Sequence, residues 1–481
     1  MEVELFAALI IVLAYWTPAA RATQVQICLC LLGATAAVRL TALGGATVTA
    51  PVMFLPFTLV KSFRRLEPDL SRALEWPSLA LFGLALWGLL SAVILPRVFE
   101  GEIYLLPVSA ADNTGGFYAL RPTAGNLTQT VYCVGQSIGF FAVHQLLRMP
   151  GALTRFGNAV ILLGILNGFA AVCSIVCYYT GIPDPVQYLR TAYAVYDVYE
   201  SAGLVRIQGT FSETSSFSAF TLPIFAFCLI LWLRGVRPRL SGSVALLSVL
   251  LLLFSTSATA YVALALYGLL FCLDLIRNAL AARGPRNSAF LLILAAAGIG
   301  LVAAAFVFEL SVAQRVTDYF SQTLLEKADS ASGKERGIWN EQAWDAFVAS
   351  HGLGVGLGSA RASSYVLVLL SNLGIVGSAL FCVFLWRSFS RDAARSDAPA
   401  VVVASRHAVV GLLSAACVSG AVFDLGMAFY CYAAAAAVPF VRAPLRAAPF
   451  VKRRLRATPR AAVLAHRSGE TPVDLAGAVD D

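Results

Sequence analysis

The chain has 481 residues, of which 59% are apolar and only 13% charged, with a net charge of +8 and a mean hydropathy of +0.76. A water-soluble domain carries about 25% charged residues, so a soluble globule, a nucleic-acid-binding domain and a disordered chain are all excluded. The composition predicts an all-α polytopic membrane protein.

The apolar blocks fall near 4–20, 25–43, 46–60, 77–96, 128–147, 158–180, 216–233, 242–255, 257–276, 288–309, 364–386, 407–423 and 425–441. They predict twelve or thirteen spans. The 46–60 block is short, contains Pro51 and Pro56, and is open to a re-entrant or interfacial placement. The start, Met1-Glu2-Val3-Glu4, is acidic where a secretory signal is basic, so the first block is expected to be a span. The ten cysteines all lie in apolar blocks and read as small packing residues, with no histidine placed to complete a zinc site.

Loop charge sets the expected orientation. The loops near 61–72, 148–155, 234–239, 277–286 and 387–406, with the tail after 441, hold 24 of the 35 Lys and Arg residues. The alternate loops 97–127, 181–215 and 310–363 hold nine. The first set is expected in the cytoplasm and the second outside. The domain reading is a membrane domain over 1–441, a large outer loop at 310–363 within it, and a basic, disordered cytoplasmic tail at 442–481 lying near anionic headgroups.

Function is expected where polar residues gather at membrane depth or in the long loops. The first such place is Arg206-Ile-Gln-Gly-Thr-Phe-Ser212-Glu213-Thr-Ser215-Ser216, running into the next apolar block. Ser212 or Ser215 is expected to cap that helix, and a helix N-terminus beside Arg206 suits an anion. The second is Phe254–Ala260, with Ser257 at its centre, expected as a tight turn or a bundle contact. The third is the 310–363 loop. It is expected to hold an interfacial helix at 312–325, a second amphipathic helix around Arg336–Phe347 with Trp339, Ala343 and Phe347 on one face, and close turns at Gly352–Ser359. Arg361, Ser363 and Ser364 follow at the mouth of the next span. Glycine turns can offer backbone N–H groups to phosphate, although GxGxG alone is weak and follows no strand here. Arginines at 206, 336 and 361 beside glycine turns suit a pyrophosphate.

The segment Arg336-Gly-Ile-Trp339, then Gly354-Val-Gly356-Leu-Gly358-Ser359, then Ser364 to Asn372-Leu-Gly374-Ile-Val-Gly377, resembles the signature of the O-antigen ligase and O-antigen polymerase superfamily. Arg206–Ser215 resembles that family's earlier outward motif, and Ser255–Ala260 its short serine motif. The match is specific over about 70 residues of the sequence. The resemblance implies a GT-C-like, metal-independent membrane glycosyltransferase that requires no cofactor. Its donor would be an undecaprenyl-pyrophosphate-linked oligosaccharide, its site the periplasmic face of a bacterial inner membrane, and its companions a chain-length regulator and export machinery; nucleic acid is not implied.

Two departures favour a polymerase of exopolysaccharide or O-antigen over a ligase that loads lipid A core. Ser363 or Ser364 stands where ligases carry histidine, and Ala258 follows Ser257 where they carry arginine. His351, the histidine of the outer loops, stands where the family more often has proline, and reads as an exposed loop residue. On this reading Glu213, Arg206 and Arg336 are catalytic. Arg361, Gly354, Gly356, Gly358, Ser359, Ser363, Ser364, Trp339 and Ser257 bind substrate, and no residue holds a metal. The alternatives are the ligase, a transporter of lipid-linked oligosaccharide and a non-catalytic scaffold. No internal repeat is present, and Asp274, His144 and Asp424 all fall near span ends, which counts against transport.

Overall fold

A computed structural model describes residues 2–3, 5–40, 46–64, 74–106, 116–192, 200–201, 204–280, 331–389 and 399–439. The chain is mostly helical. In order, the helices are α1 (Leu5–Trp16), α2 (Ala19–Leu29), α3 (Ala50–Phe63), α4 (Trp76–Val98), α5 (Ala124–Leu147), α6 (Ala152–Thr180), α7 (Thr214–Leu233), α8 (Pro238–Leu253), α9 (Ala258–Leu280), α10 (Ala331–Ala349), α11 (Tyr365–Phe389), α12 (Ala400–Ser419) and α13 (Met427–Ala437). Among the described residues, α4, α6, α7, α9, α11 and α12 are long and apolar enough to cross a bilayer. Every described element lies in one compact unit, Met1–Phe440. The expected spans at 288–309, the interfacial helix at 312–325 and the basic tail lie outside the described residues.

Three expectations change. The 25–43 block is not one span. Its helix ends in a 3-10 turn at Cys30–Leu32, and Ala36–Leu40 becomes strand β2, paired antiparallel with β3 (Ala46–Thr49) and with β1 (Glu2–Val3). Thr35 and Thr191 explain the change locally. Thr35 Oγ1 donates to the Leu189 carbonyl (2.6 Å), which holds the distant loop against the turn, and Thr191 Oγ1 of that loop accepts from the Ala36 N–H (2.9 Å), a backbone group that a continuing helix would have used. The 46–60 block yields α3, whose 14 residues span about 21 Å, short of the roughly 30 Å of a hydrocarbon core. The third change concerns 425–441, whose helix α13 has 11 residues, all buried. Apolar on every side, it is a helix of the interior rather than of the lipid boundary.

The core runs between α4, α5, α7, α11, α12 and α13. Small residues set the close approaches: an added Cβ at Gly164 would stand 2.3 Å from Val244 and at Gly157 2.8 Å from Val401, so α6 lies tight against α8 and α12.

Helix α11 is broken at Gly374 (φ 62°, ψ −162°), and the loop after α10 fills the break. The carbonyls that the break releases are met one by one. Ser371 accepts from the Val355 N–H (2.7 Å), Asn372 from Gly356 (3.1 Å), and Leu373 from the Trp87 indole of α4 (2.8 Å), while the Ile375 N–H donates to Gly352 (2.9 Å). The Asn372 side chain closes the clasp: Oδ1 accepts from the N–H groups of Gly358 and Ala360, and Nδ2 donates to the carbonyls of Ala360 and Val368. Within lipid a broken helix persists only if its backbone groups are satisfied in this way.

Replacing Asn372 with Leu takes that partner from two buried N–H groups and two carbonyls, a loss on the order of 3 kcal/mol. Gly374→Ala puts a Cβ 2.3 Å from the Leu353 carbonyl at a positive φ. Both variants are expected to melt well below wild type in detergent, followed by size exclusion after heating. Gly268→Ala, with open space around its Cβ, is expected to melt at the wild-type temperature or above.

Candidate functional site

One end of the bundle gathers strands β2 and β3, residues 184–192 and 204–213, the starts of α5 and α7 and the 420–426 connector. Between them lies a cavity of about 700 Å³. Its walls are Cys30–Ala34 and Thr47–Val52 on one side, Gly125–Gln136 of α5 on another, Phe211–Phe220 at the start of α7, and Ser419–Ala428. A narrower apolar pocket of about 130 Å³ adjoins it between α3 and α5, sharing Thr47, Val52, Thr128, Tyr132, Gln136 and Met427.

Glu213 sits on the cavity wall. It occupies the N-cap position of α7, and its side chain accepts hydrogen bonds from the hydroxyls of Ser215 and Ser216. This corrects the capping expectation. Neither Ser212 nor Ser215 caps the helix; the serines instead hold a carboxylate at the helix N-terminus, where the helix dipole favours negative charge. Arg206, in the strand-to-helix approach, donates from Nε to Thr214 Oγ1 (3.4 Å). Burial pulls its guanidinium below the ordinary arginine range; the Glu213 carboxylate opposes that shift and the Arg336 cation of α10 adds to it. The fold thus brings Arg206, Glu213 and Arg336, separated by up to 130 positions in the chain, into one electrostatic neighbourhood.

The loop carrying Arg206 is tied down. Arg190 pairs with Asp184 (3.0 Å) and donates to the Gly209 carbonyl (2.8 Å) and Gln208 Oε1 (3.1 Å), while Thr210 Oγ1 donates to the Leu31 carbonyl (2.6 Å). Sequence reasoning missed Arg190, because a loop arginine gives no sign of its burial. Asp184 also lies with Cys173 and Cys177 within 4.8 Å, a set of potential metal ligands. Its carboxylate is, however, already engaged by Arg190, Ser174 (2.8 Å) and the Val186 N–H (2.9 Å).

The α10 helix spans the expected amphipathic segment. Arg361 lies over the Trp339 ring, 3.8 Å from its centroid, a cation–π pair that fixes both side chains. Gln342 supports the same loop, donating to the Arg361 carbonyl (2.9 Å).

The glycine turns depart from expectation. Gly354, Gly356 and Gly358 all have positive φ, as turns require. Their N–H groups, however, go to Ser350 Oγ (2.9 Å), the Asn372 carbonyl (3.1 Å) and Asn372 Oδ1 (2.9 Å). A Cβ at Gly358 would lie 2.4 Å from the Gly125 carbonyl. These turns pack backbone against backbone and hold α5 to α11; they do not present N–H groups to an anion. Ser359 belongs to the same packing, its Oγ accepting from Asn126 Nδ2 (2.8 Å). Ser363 donates its N–H to Asn340 Oδ1 (2.7 Å), and the Ser364 carbonyl accepts from Val368 in the first turn of α11. Ser257 is buried in the α8–α9 turn, where its Oγ accepts from the Ala260 N–H (3.4 Å), and it does not line the cavity. His351 is exposed, in a left-handed turn (φ 51°).

Two further features involve residues that the sequence marked only as ionisable groups near span ends, Asp274 and Asp424. Tyr267 and Asp274 of α9 approach His407 of α12, at 3.3 Å and 3.8 Å. Asp424, in the α12–α13 connector, lines the cavity and accepts from Gln136 Nε2 and from the Gly426 N–H (2.7 Å). No protein-family model, curated protein or solved structure matches the chain.

Ser257→Ala removes a helix-start acceptor and is expected to cost about 1 kcal/mol, seen as a small fall in melting temperature.

Proposed function

We propose that the protein is a membrane glycosyltransferase that polymerises lipid-linked polysaccharide repeat units, a member of the O-antigen polymerase and ligase superfamily with a GT-C-like fold. The observation that carries this reading is the meeting of Glu213, Arg206 and Arg336 beside a cavity large enough for a glycan, since ligand sites fall in the range of roughly 300–1,000 Å³. The loop-charge asymmetry supports a bacterial inner-membrane placement with this end periplasmic and the C-terminus cytoplasmic.

The donor is a glycan on undecaprenyl pyrophosphate, and the acceptor is a sugar hydroxyl of a second lipid-linked glycan. The acceptor oxygen attacks the anomeric carbon as the bond from that carbon to the pyrophosphate oxygen breaks. The electron pair of the broken bond leaves on the pyrophosphate, whose growing charge is met by Arg206 and Arg336. The proton of the acceptor hydroxyl passes to Glu213, which Ser215 and Ser216 hold in place on the cavity wall. The products are a lengthened glycan and undecaprenyl pyrophosphate. Arg361, held over Trp339, is a third cation for the pyrophosphate. The glycine turns act indirectly, by fixing the loop on which Arg361 stands.

Lysine keeps the charge of arginine but loses its two-pronged contact with phosphate. Arg206→Lys and Arg336→Lys are each expected to lose at least about 90% of polymer output at wild-type protein levels, on the order of 1.4 kcal/mol of transition-state stabilisation or more. Glu213→Gln should lose more. The check is the length distribution of surface polysaccharide on gels from a deletion strain carrying each variant, with release of undecaprenyl pyrophosphate as the direct readout. In the deletion strain, single repeat units on an intact lipid A core support the polymerase. Full-length polymer retained on the carrier and absent from lipid A core would assign the protein as a ligase instead.

A further inference from the structure

The cavity has a wall that the proposed transfer chemistry leaves unused. Gln129, Tyr132 and Gln136 recur on one face of α5, and Asp424 faces them from the α12–α13 connector. Gln136 is 3% exposed and Gln129 8%, yet Oε1 of each is buried with no hydrogen-bond partner among the described residues. Leaving a buried polar atom unpaired costs about 1–3 kcal/mol, and both side chains belong to one cavity wall. Gln136 Nε2 donates to Asp424, which orients the carboxylate as well as the amide.

The chemistry of this wall narrows its ligand. Glutamine amides both donate and accept, and a carboxylate accepts from two hydroxyls at once. Phe211, Phe220 and Tyr132 add aromatic faces; Phe211 and Phe220 lie 4.8 Å apart, and Tyr132 is anchored by a bond from its hydroxyl to the Thr47 carbonyl (3.0 Å). Fixed acceptors and donors beside aromatic faces match a ring with adjacent hydroxyls on its edges and C–H groups on its faces. No Lys, Arg or His lines the cavity among the described residues, so an acidic sugar or a phosphate would find no counter-charge there. Glu213 lines this cavity while Arg206 and Arg336 do not, so the hydroxyl that loses its proton lies inside, and the leaving pyrophosphate lies toward the arginines.

We infer that Gln129, Gln136 and Asp424 form a binding subsite for a neutral sugar ring of the acceptor glycan. Assignment to the acceptor rests on the glycosyl-transfer reading; recognition of a neutral sugar does not. The Gln129 and Gln136 side chains on the wall and the Asp424 carboxylate are the polar partners offered to the ring hydroxyls.

The test uses the purified full-length chain in detergent and neutral oligosaccharides of one to three repeat units, cut from the host surface polysaccharide and free of lipid and phosphate. Saturation-transfer NMR should show contact to ring protons with wild type and with Glu213→Gln. Gln129→Ala should weaken binding by about tenfold or more, equivalent to about 1.4 kcal/mol, and Gln136→Leu likewise. Gln129→Ala removes an atom without a partner, so its elution and melting temperature should match wild type, which separates lost binding from lost fold. Equal binding by wild type and both variants, or equal binding of an acidic oligogalacturonate, would overturn the subsite. Activity assays distinguish the two ideas. Gln129-dependent sugar binding with no extension of lipid-linked repeats would remove the transferase and keep the sugar site. Normal polymerisation with an unchanged acceptor KM in Gln129→Ala would remove the sugar site and keep the transferase.

Discussion

The clasp between Asn372 and the glycine loop is the constraint on which this end of the protein depends. A helix broken at Gly374 in an apolar surrounding exposes carbonyls and N–H groups that lipid cannot satisfy. The loop from Gly352 to Ala360 supplies the partners, and only glycine allows the backbones to meet so closely. Because the same loop touches Gly125 and Asn126 of α5 and Trp87 hydrogen-bonds the broken turn, α4, α5 and α11 are locked together by backbone geometry. Arg361 and Trp339 then stand on a fixed platform.

A second brace works on the opposite side of the cavity. Arg190 gathers Asp184, Gln208 and the Gly209 carbonyl, and the threonines at 35, 191 and 210 tie Leu189–Thr191 and Thr210 to the α2–β2 turn. Such bonds between side chain and backbone hold irregular chain without secondary structure. They set where α7 begins, and therefore where Glu213 stands. The site is thus built on loops, held in place by these named side-chain bonds.

The cavity divides its chemistry by charge. Arginines gather beside it, while its lining holds carboxylates, amides, hydroxyls and aromatic rings without a cation among the described residues. On the proposed reading the pyrophosphate lies on the arginine side and the neutral sugar within the cavity. In the low dielectric of the interior, such a division discriminates far more strongly than it would in water.

The sequence by itself determined the membrane class, most of the long helices and the three polar gatherings, because hydrophobic length and charge density act locally and can be read residue by residue. Arg206, Glu213 and Arg336 were legible as isolated outward polar residues, and the amphipathic helix around Arg336–Phe347 from its spacing. Only the tertiary structure decided what pairs them. The break at Gly374, the turn from helix into strand at Ala36 and the packing of Gly356 and Gly358 depend on distant partners, Val355 and Trp87, Thr191, and Asn372 respectively. The cavity placement of Asp424 and Gln129 gave no signal, since a lone acid or amide in an apolar run looks the same whether it faces a neighbour or a cavity. A glycine turn that binds phosphate and one that packs against a helix share one sequence; what differs is which carbonyl waits opposite its N–H, and that is fixed by the fold.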